Sequence, residues 1–224
     1  MHSHLLPALD DGVQSLDESL AVINELRALG YTKLITTPHI IADSYRNSPE
    51  TILPKLAELN SFLESKHVNF TVEAAAEYYL DDAMMQRLSL NEPLLTFGKK
   101  FLLFETNFLN EPFFLKEFIF SATTKGYRLI LAHPERYIYL HDNYSKVQDL
   151  LDRGVLFQVN LISLTGYYSK PARKLAEKLI TNSHVHFLGT DCHNGQQIAL
   201  LQKAFRSKFF EKAISLPLMN NQLL

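Results

Sequence analysis

His2-Ser3-His4 opens the chain, and Asp10-Asp11 follows after a short stretch. Further along stand His39 in Thr-Thr-Pro-His, Glu77 in Ala-Ala-Glu-Tyr, His133 in Ala-His-Pro-Glu-Arg, and Asp191-Cys192-His193. Each of these later groups comes just after a short apolar, β-prone run. Side chains in a strand alternate with period two, so His2 and His4 share a face, as do Asp191 and His193. Imidazole nitrogens and carboxylate oxygens brought to one point make a site for transition-metal ions. Each group also has a plainer reading. Asp10-Asp11-Gly12 is a common turn, Glu77 suits a structural ion pair, and one His-x-His is weak evidence taken alone. Within the turn, either Asp11 or Asp10 is the ligand. Repetition outweighs these readings, because five of the nine histidines share one topological position.

His67, His141, His184 and His186 fall elsewhere and read as surface or loop histidines. Cys192 lies between two candidate ligands. Alternation turns it away from them, and it reads as a small buried residue rather than a nucleophile.

The elements that must position these groups alternate between β-like and α-like, with no linker, repeat or low-complexity stretch. Ser15-Leu16-Asp17-Glu18 is a capping box, and its helix carries Leu20, Ile23, Leu26 and Leu29 before stopping at Gly30. A strand is expected over 33–37, and Ser48-Pro49 opens a helix to about Ser65. A strand over 68–76 and a helix over 81–88 follow. Phe101 to Glu105 is a strand ending in an acid, and 111–124 is helical though rich in phenylalanine. Strands over 128–132, 155–160 and 185–189 alternate with helices over 144–153 and from Ser169-Lys170-Pro171 to about Thr181. One long helix is expected over 195–212. Strands separated by helices imply parallel pairing with right-handed crossovers. The natural closure is a distorted (βα)₇ TIM-like barrel, in which residues from the ends of different strands meet at one mouth. An open doubly wound sheet would call for a glycine-rich phosphate turn after its first strand, and none is present. His2 leaves almost no chain ahead of it, so its strand is very short unless more chain precedes it.

Size and composition agree with this picture. A chain of 224 residues is long enough for one α/β core, expected as a single domain over 1–224, with motifs from 2 to 194 and a C-terminal helix and tail over 195–224. The formal net charge of -2 offers no basic field for nucleic acid. The single cysteine rules out an intramolecular disulfide and fits a reducing, cytoplasmic setting. No apolar run approaches the roughly 20 residues that a membrane span needs.

With these motifs in hand, the sequence resembles the PHP superfamily, named for polymerase and histidinol phosphatase domains. The match is carried by His2-Ser3-His4, Asp10-Asp11-Gly12, Thr37-Pro38-His39, Ala76-Glu77, Ala132-His133-Pro134-Glu135-Arg136 and Thr190-Asp191-Cys192-His193-Asn194. The stretches Leu6 to Gly12 and His133 to Tyr137 are most similar to the bacterial metal-dependent protein tyrosine phosphatases of capsule and exopolysaccharide biosynthesis. The resemblance implies the distorted (βα)₇ barrel with two or three divalent ions, manganese favoured over iron or zinc. It implies one ion on His2, His4, Glu77 and Asp191, a second on Glu77 and His133, and a third on Asp11, His39 and His193. Arg136 matches the arginine that binds the substrate phosphate.

The chain departs from the superfamily's pattern twice. The usual further histidine near the end of the fourth strand is absent from Glu105-Thr106-Asn107-Phe108-Leu109, where Glu105 or Asn107 would have to compensate. A second phosphate-binding arginine is missing from Asn194 to Leu201.

Phosphomonoester hydrolysis suits such a site, because divalent ions bind phosphoryl oxygens, activate a water to hydroxide for attack on phosphorus, and stabilise the leaving oxygen. The resemblance implies a phosphotyrosine protein as substrate, namely the tyrosine-rich tail of a membrane-associated bacterial tyrosine kinase. Tyr78, Tyr79, Tyr137 and Tyr139 stand where an aromatic substrate could be flanked. The alternatives are a small-molecule phosphatase of the histidinol phosphatase type, or a degenerate barrel that binds metal or phosphotyrosine without hydrolysing it.

Overall fold

The computed structural model describes residues 1–223. Alternating short strands and helices follow one another along the chain: α1 (Leu16–Ala28), β1 (Lys33–Thr36), β2 (His39–Ile40), α2 (Pro49–Ser65), β3 (Thr71–Ala74), β4 (Glu77–Tyr79), α3 (Asp82–Ser89) and β5 (Phe101–Glu105). Then come α4 (Leu115–Thr124), β6 (Arg128–Ala132), α5 (Ile138–His141), α6 (Tyr144–Asp152), β7 (Leu156–Asn160), α7 (Lys170–Thr181), β8 (Phe187–Gly189), α8 (Gln196–Phe205) and α9 (Lys208–Ile214). All strand pairs are parallel, in the orders β1-β3 and β2-β4-β5-β6-β7-β8.

The expected strand over 33–37 runs on past Pro38, which has no N–H to donate, and resumes as β2. Its partner is broken at the same level, so β1 pairs with β3 while β2 pairs with β4. The N-terminal segment joins the two ends of this series. Ser3 bridges to Cys192, the His4 N–H donates to Cys192 O, and the Thr37 N–H donates to Ser3 O. Backbone hydrogen bonds of residues 2–4 thus link the first and last strands of a distorted seven-fold βα barrel.

Two separate cores follow from strand alternation. Leu34, Leu102, Phe104, Leu129, Leu131, Phe157 and Val159 face outward and pack under the helices. Ile35, Phe101, Leu103, Ile130, Ala132 and Phe187 face inward and fill the barrel. Each large apolar side chain so buried contributes roughly 1.5–3 kcal/mol. The inward series of β5, Phe101 and Leu103, ends with Glu105 at the top. The same two-residue period places Gln158 and Asn160 inward on β7, both fully buried.

Two helix expectations are corrected. The helix over 195–212 is two helices, because Ser207 caps a new start: its side chain accepts from the Phe209 N–H. The turn lets Phe210 pack against Phe205, with ring centroids 4.7 Å apart. The helix expected from 111 starts at Leu115, after Pro112 has closed a turn with its carbonyl. Cys192 is fully buried, and burial pushes its thiol up to about 12, as suits a packing residue. No helix among the described residues is long and apolar enough to cross a membrane.

Gly12 shows how tightly the first loop is folded onto the barrel. A Cβ there would lie 2.2 Å from the His4 carbonyl oxygen and 2.6 Å from His4 Cβ, so nothing larger than glycine fits without moving His4. Gly12→Ala is expected to destabilise the fold by about 1–3 kcal/mol in urea unfolding. A change within about 0.5 kcal/mol would show that the loop is free to relax.

Candidate metal centre

The eight proposed ligands converge at the mouth where the strands end. On the His2-Ser3-His4 segment, both imidazoles are fully buried and their Nε2 atoms lie 3.4 Å apart. His2 Nε2 is 3.1 Å from Glu77 Oε2 and 3.3 Å from Asp191 Oδ1. His4 Nε2 is 3.5 Å from Glu77 Oε2 and 3.3 Å from Asp191 Oδ1. Tetrahedral donors about 2.0–2.1 Å from one ion are roughly 3.4 Å apart. Each carboxylate oxygen therefore has, with the two Nε2 atoms, the spacing of ligands to a small divalent cation.

The opposite ring nitrogens are held by hydrogen bonds. His4 Nδ1 donates to Asp10 Oδ2 at 2.7 Å, and His2 Nδ1 donates to Gln158 Oε1 at 2.5 Å. These bonds fix the proton on Nδ1 and aim the Nε2 lone pair at the carboxylates. Lone pairs facing anions are stable only with a cation between them. Protons can serve in part: burial lowers the basicity of His2, but Glu77 and Asp191 outweigh it and raise this imidazole to about 10. His4 is raised likewise against its burial, by Asp10, Asp191 and Glu77. Two Nε2–H groups 3.4 Å apart would then point at one another, whereas a metal ion takes lone pairs from both nitrogens and from a carboxylate oxygen at once.

Pairing decides which other groups join. The β2–β4 register sets His39 beside Glu77. His39 Nδ1 lies 3.3 Å from Glu77 Oε2 and 3.0 Å from Glu105 Oε1, yet it makes no hydrogen bond of acceptable geometry. A buried ring nitrogen without a hydrogen bond but close to two carboxylates is another position suited to a cation. Glu77 uses its two oxygens on different partners, because Oε1 lies 3.0 Å from His133 Nε2. Burial, then the Arg136 charge, keep His133 below its ordinary range, so the ring is a neutral ligand at neutral pH. Burial alone would raise Glu77 and Asp191, but the surrounding imidazoles hold both well below the usual carboxylate range.

Asp11 Oδ1 is 3.6 Å from His39 Nε2 and 3.5 Å from His193 Nε2, forming a more open group with His4 nearby. The two acids of the turn face different partners. Asp11 points at the histidines, while Asp10 braces His4 and accepts from the Gly12 and His39 N–H groups.

Glu105 and Asn107 part company. Glu105 is buried, facing His39 and lying 3.9 Å from His133. Asn107 is exposed, and its side-chain oxygen accepts from the Leu109 and Asn110 N–H groups in a turn. The turn uses the side chain that would have been the ligand. Arg136 donates to Asp191 Oδ2 at 3.0 Å, with its guanidinium between the rings of Phe108 and Tyr168, 4.6 and 4.3 Å from the ring centres. Three of the participants, His2, His133 and Asp191, have φ of 64°, 35° and 48°. Left-handed backbone at non-glycine residues is strained and gathers at functional sites.

Two supporting residues escaped the sequence reading. Gln158 Nε2 donates to Asn160 Oδ1, and Asn160 Nδ2 donates to Asp191 Oδ2, so one chain of amides braces both His2 and Asp191. Gly189 leaves room for it, since a Cβ there would meet Gln158 Nε2 at 2.3 Å. The signal was present in Leu-Phe-Gln-Val-Asn: two amides at period two within an apolar strand. The tyrosines read as flanking a substrate are mostly committed to packing. Tyr78 is buried and accepts from Leu95 N–H, Tyr137 is buried and accepts from Thr106 N–H, and Tyr139 bonds the Thr106 hydroxyl.

Asp10→Ala removes the group that fixes the His4 tautomer without replacing any of the eight proposed ligands. Metal affinity is expected to fall about 10–100-fold in competition titrations. Unchanged affinity would mean that the Asp10 bond does not set the orientation of His4.

Known proteins share this arrangement of chain. A family model described as capsular polysaccharide synthesis, CpsB/CapC, matches residues 1–212. Among curated proteins, CapC of Staphylococcus aureus is 28% identical over 194 residues, covering 87% of this chain and 76% of its own. The tyrosine-protein phosphatase YwqE of Bacillus subtilis is 27% identical over the same shares. The tyrosine-protein phosphatase CpsB of Streptococcus agalactiae is 24% identical, over 87% of this chain and 82% of its own. A solved structure from work on YwqE of B. subtilis and CpsB of Streptococcus pneumoniae, described as unique metal-dependent tyrosine phosphatases, superposes with a TM-score of 0.80. That match is 27% identical and covers 96% of this chain and 92% of the other.

Proposed function

The chain belongs to the CpsB/CapC family of capsular polysaccharide synthesis, and from that premise we propose that it is a metal-dependent phosphatase acting on phosphotyrosine in proteins. The observation that carries this reading is the meeting of His2, His4, Glu77 and Asp191 at ligand spacing, with Arg136 beside them. His2, His4, Glu77 and Asp191 would hold one ion. Glu77 and His133 would hold a second, with Glu105 in the role of the absent histidine. Asp11, His39 and His193 would hold a third, at the more open edge. Manganese is the favoured ion. The bound ions would supply Lewis-acid activation of water and neutralisation of phosphoryl charge.

The chain's own groups do the rest. Arg136 is set to donate to a phosphate oxygen, a charge-assisted contact that a guanidinium makes well. Phe108 and Tyr168 pack against it where it reaches Asp191. Asn160 and Tyr168 also contact Asp191 Oδ2, so this carboxylate keeps its orientation when Arg136 turns to a substrate. The amide chain through Gln158 and the Asp10 bond hold the imidazoles in place, so little reorganisation is needed on binding.

The choice of phosphotyrosine over a small phosphoester is supported by the names of the related enzymes. The proposed substrate is the tyrosine-rich tail of a bacterial tyrosine kinase in capsule or exopolysaccharide regulation, met in the cytoplasm.

Chelation is expected to abolish turnover of a phosphotyrosine peptide, and Mn²⁺ to restore it. Combining His2→Ala with Asp191→Ala should leave no restorable activity, and activity surviving both treatments would contradict the reading. Arg136→Ala is expected to lower kcat/KM by about 10²–10³, the usual scale for losing one preorganised charge-stabilising donor. Faster turnover of histidinol phosphate than of the peptide would move the assignment to a small-molecule phosphatase.

A further inference from the structure

Beyond the groups that would hold metal and phosphate, two aromatic rings stand beside different histidines of the cluster. Tyr45 stacks on His39, with ring centres 5.7 Å apart and planes 15° from parallel. It is carried by a small hairpin in which Ile41 and Tyr45 exchange both backbone hydrogen bonds, at 2.9 and 3.0 Å. Phe108 lies 5.7 Å from the His133 ring and is stacked 5.5 Å from Tyr137. His39 and His133 turn toward the same two carboxylates, Glu77 and Glu105. The rings beside them, Tyr45 stacked on His39 and Phe108 tilted against His133, therefore border the cluster at two different ligands.

Neither ring is used up by the core. Phe108 keeps 36% of its surface exposed, and Tyr45 is half-buried. Phe108 is also held in position: its carbonyl accepts from the Ile138 N–H at 2.8 Å, and the Asn107 turn follows directly. An aromatic ring fixed at the rim of a polar, charged cluster offers a face to whatever is joined to the bound phosphate. Aromatic pairs gain from offset or edge contact beyond simple burial, and alkyl groups lack that gain.

We propose that Tyr45 and Phe108 form the two walls of a slot that selects the aryl group of the phosphoester, so that these residues set the preference for aryl over alkyl phosphates. This rests on the phosphatase reading above and assigns its substrate selectivity to two side chains that do not bind the metal. Phe108 also packs on Arg136, but an effect passed through Arg136 would act on the phosphate. It would lower aryl and alkyl ligands alike.

The test uses the metal-loaded protein and the variants Phe108→Leu, Tyr45→Leu and Tyr45→Phe. Turnover of phenyl phosphate is compared with that of glycerol phosphate, and binding of phenylphosphonate with that of methylphosphonate. Each leucine variant should lower the aryl-to-alkyl ratio about threefold to tenfold, while Tyr45→Phe keeps it. The Tyr45 change lies on an exposed hairpin and carries the test independently of Phe108. A ratio unchanged in both leucine variants, or equal losses for both ligands, overturns the slot while leaving the phosphatase in place. If the wild type turns over neither ester but its phosphonate selectivity falls in the leucine variants, the slot stands and the phosphatase reading fails.

Discussion

The structure is organised around a repulsion that only positive charge can relieve. The Nε2 atoms of His2 and His4 each lie 3.1–3.5 Å from a Glu77 oxygen and from an Asp191 oxygen, out of water. Two buried carboxylates that share these imidazoles would be costly without a cation. Protonating the imidazoles is one answer, and the upward shift of His2 shows the demand for charge. A divalent ion is the better answer, because its ligands must be deprotonated and their common focus is already formed.

Much of the surrounding architecture serves to keep those atoms from moving apart. Outward nitrogens are tied to Asp10 and Gln158, so the rings cannot turn their lone pairs away. Glycine at positions 12 and 189 lets His4 and Gln158 come closer than any side chain would permit. Left-handed backbone at His2, His133 and Asp191 re-aims side chains that regular strand geometry would have pointed elsewhere. The inward-facing apolar residues beneath, from Ile35 to Phe187, give the floor on which this rim stands. Strain at the mouth is thus offset by ordinary burial below it.

The site was more legible in the sequence than its supports were. Short apolar runs ending in His39, Glu77, His133 and Asp191 announce themselves, because strand ends are where a βα barrel gathers chemistry. Glu105 was readable as the acid closing an apolar strand, and alternation from Phe101 through Leu103 puts it inward. Asn107, two residues on, lies past the strand, where an asparagine side chain readily bonds nearby backbone N–H groups. Choosing Asp11 over Asp10 needed the folded loop, since neighbouring residues in a turn have no fixed face. Gln158 and Asn160 carried a signal in their spacing, but a buried amide declares its role only when its partners are known. The break at Ser207 was hidden because a serine within an amphipathic run reads equally as interior or cap.

A multi-ion site and a proton-bridged core are separated by elemental analysis of the Mn²⁺-loaded protein together with an anomalous difference map of its crystals. At least two ions per chain are expected, with one peak surrounded by His2, His4, Glu77 and Asp191 and another between Glu77 and His133. Fewer than two ions, with the His2 and His4 side chains in their present places, would contradict the multi-ion site.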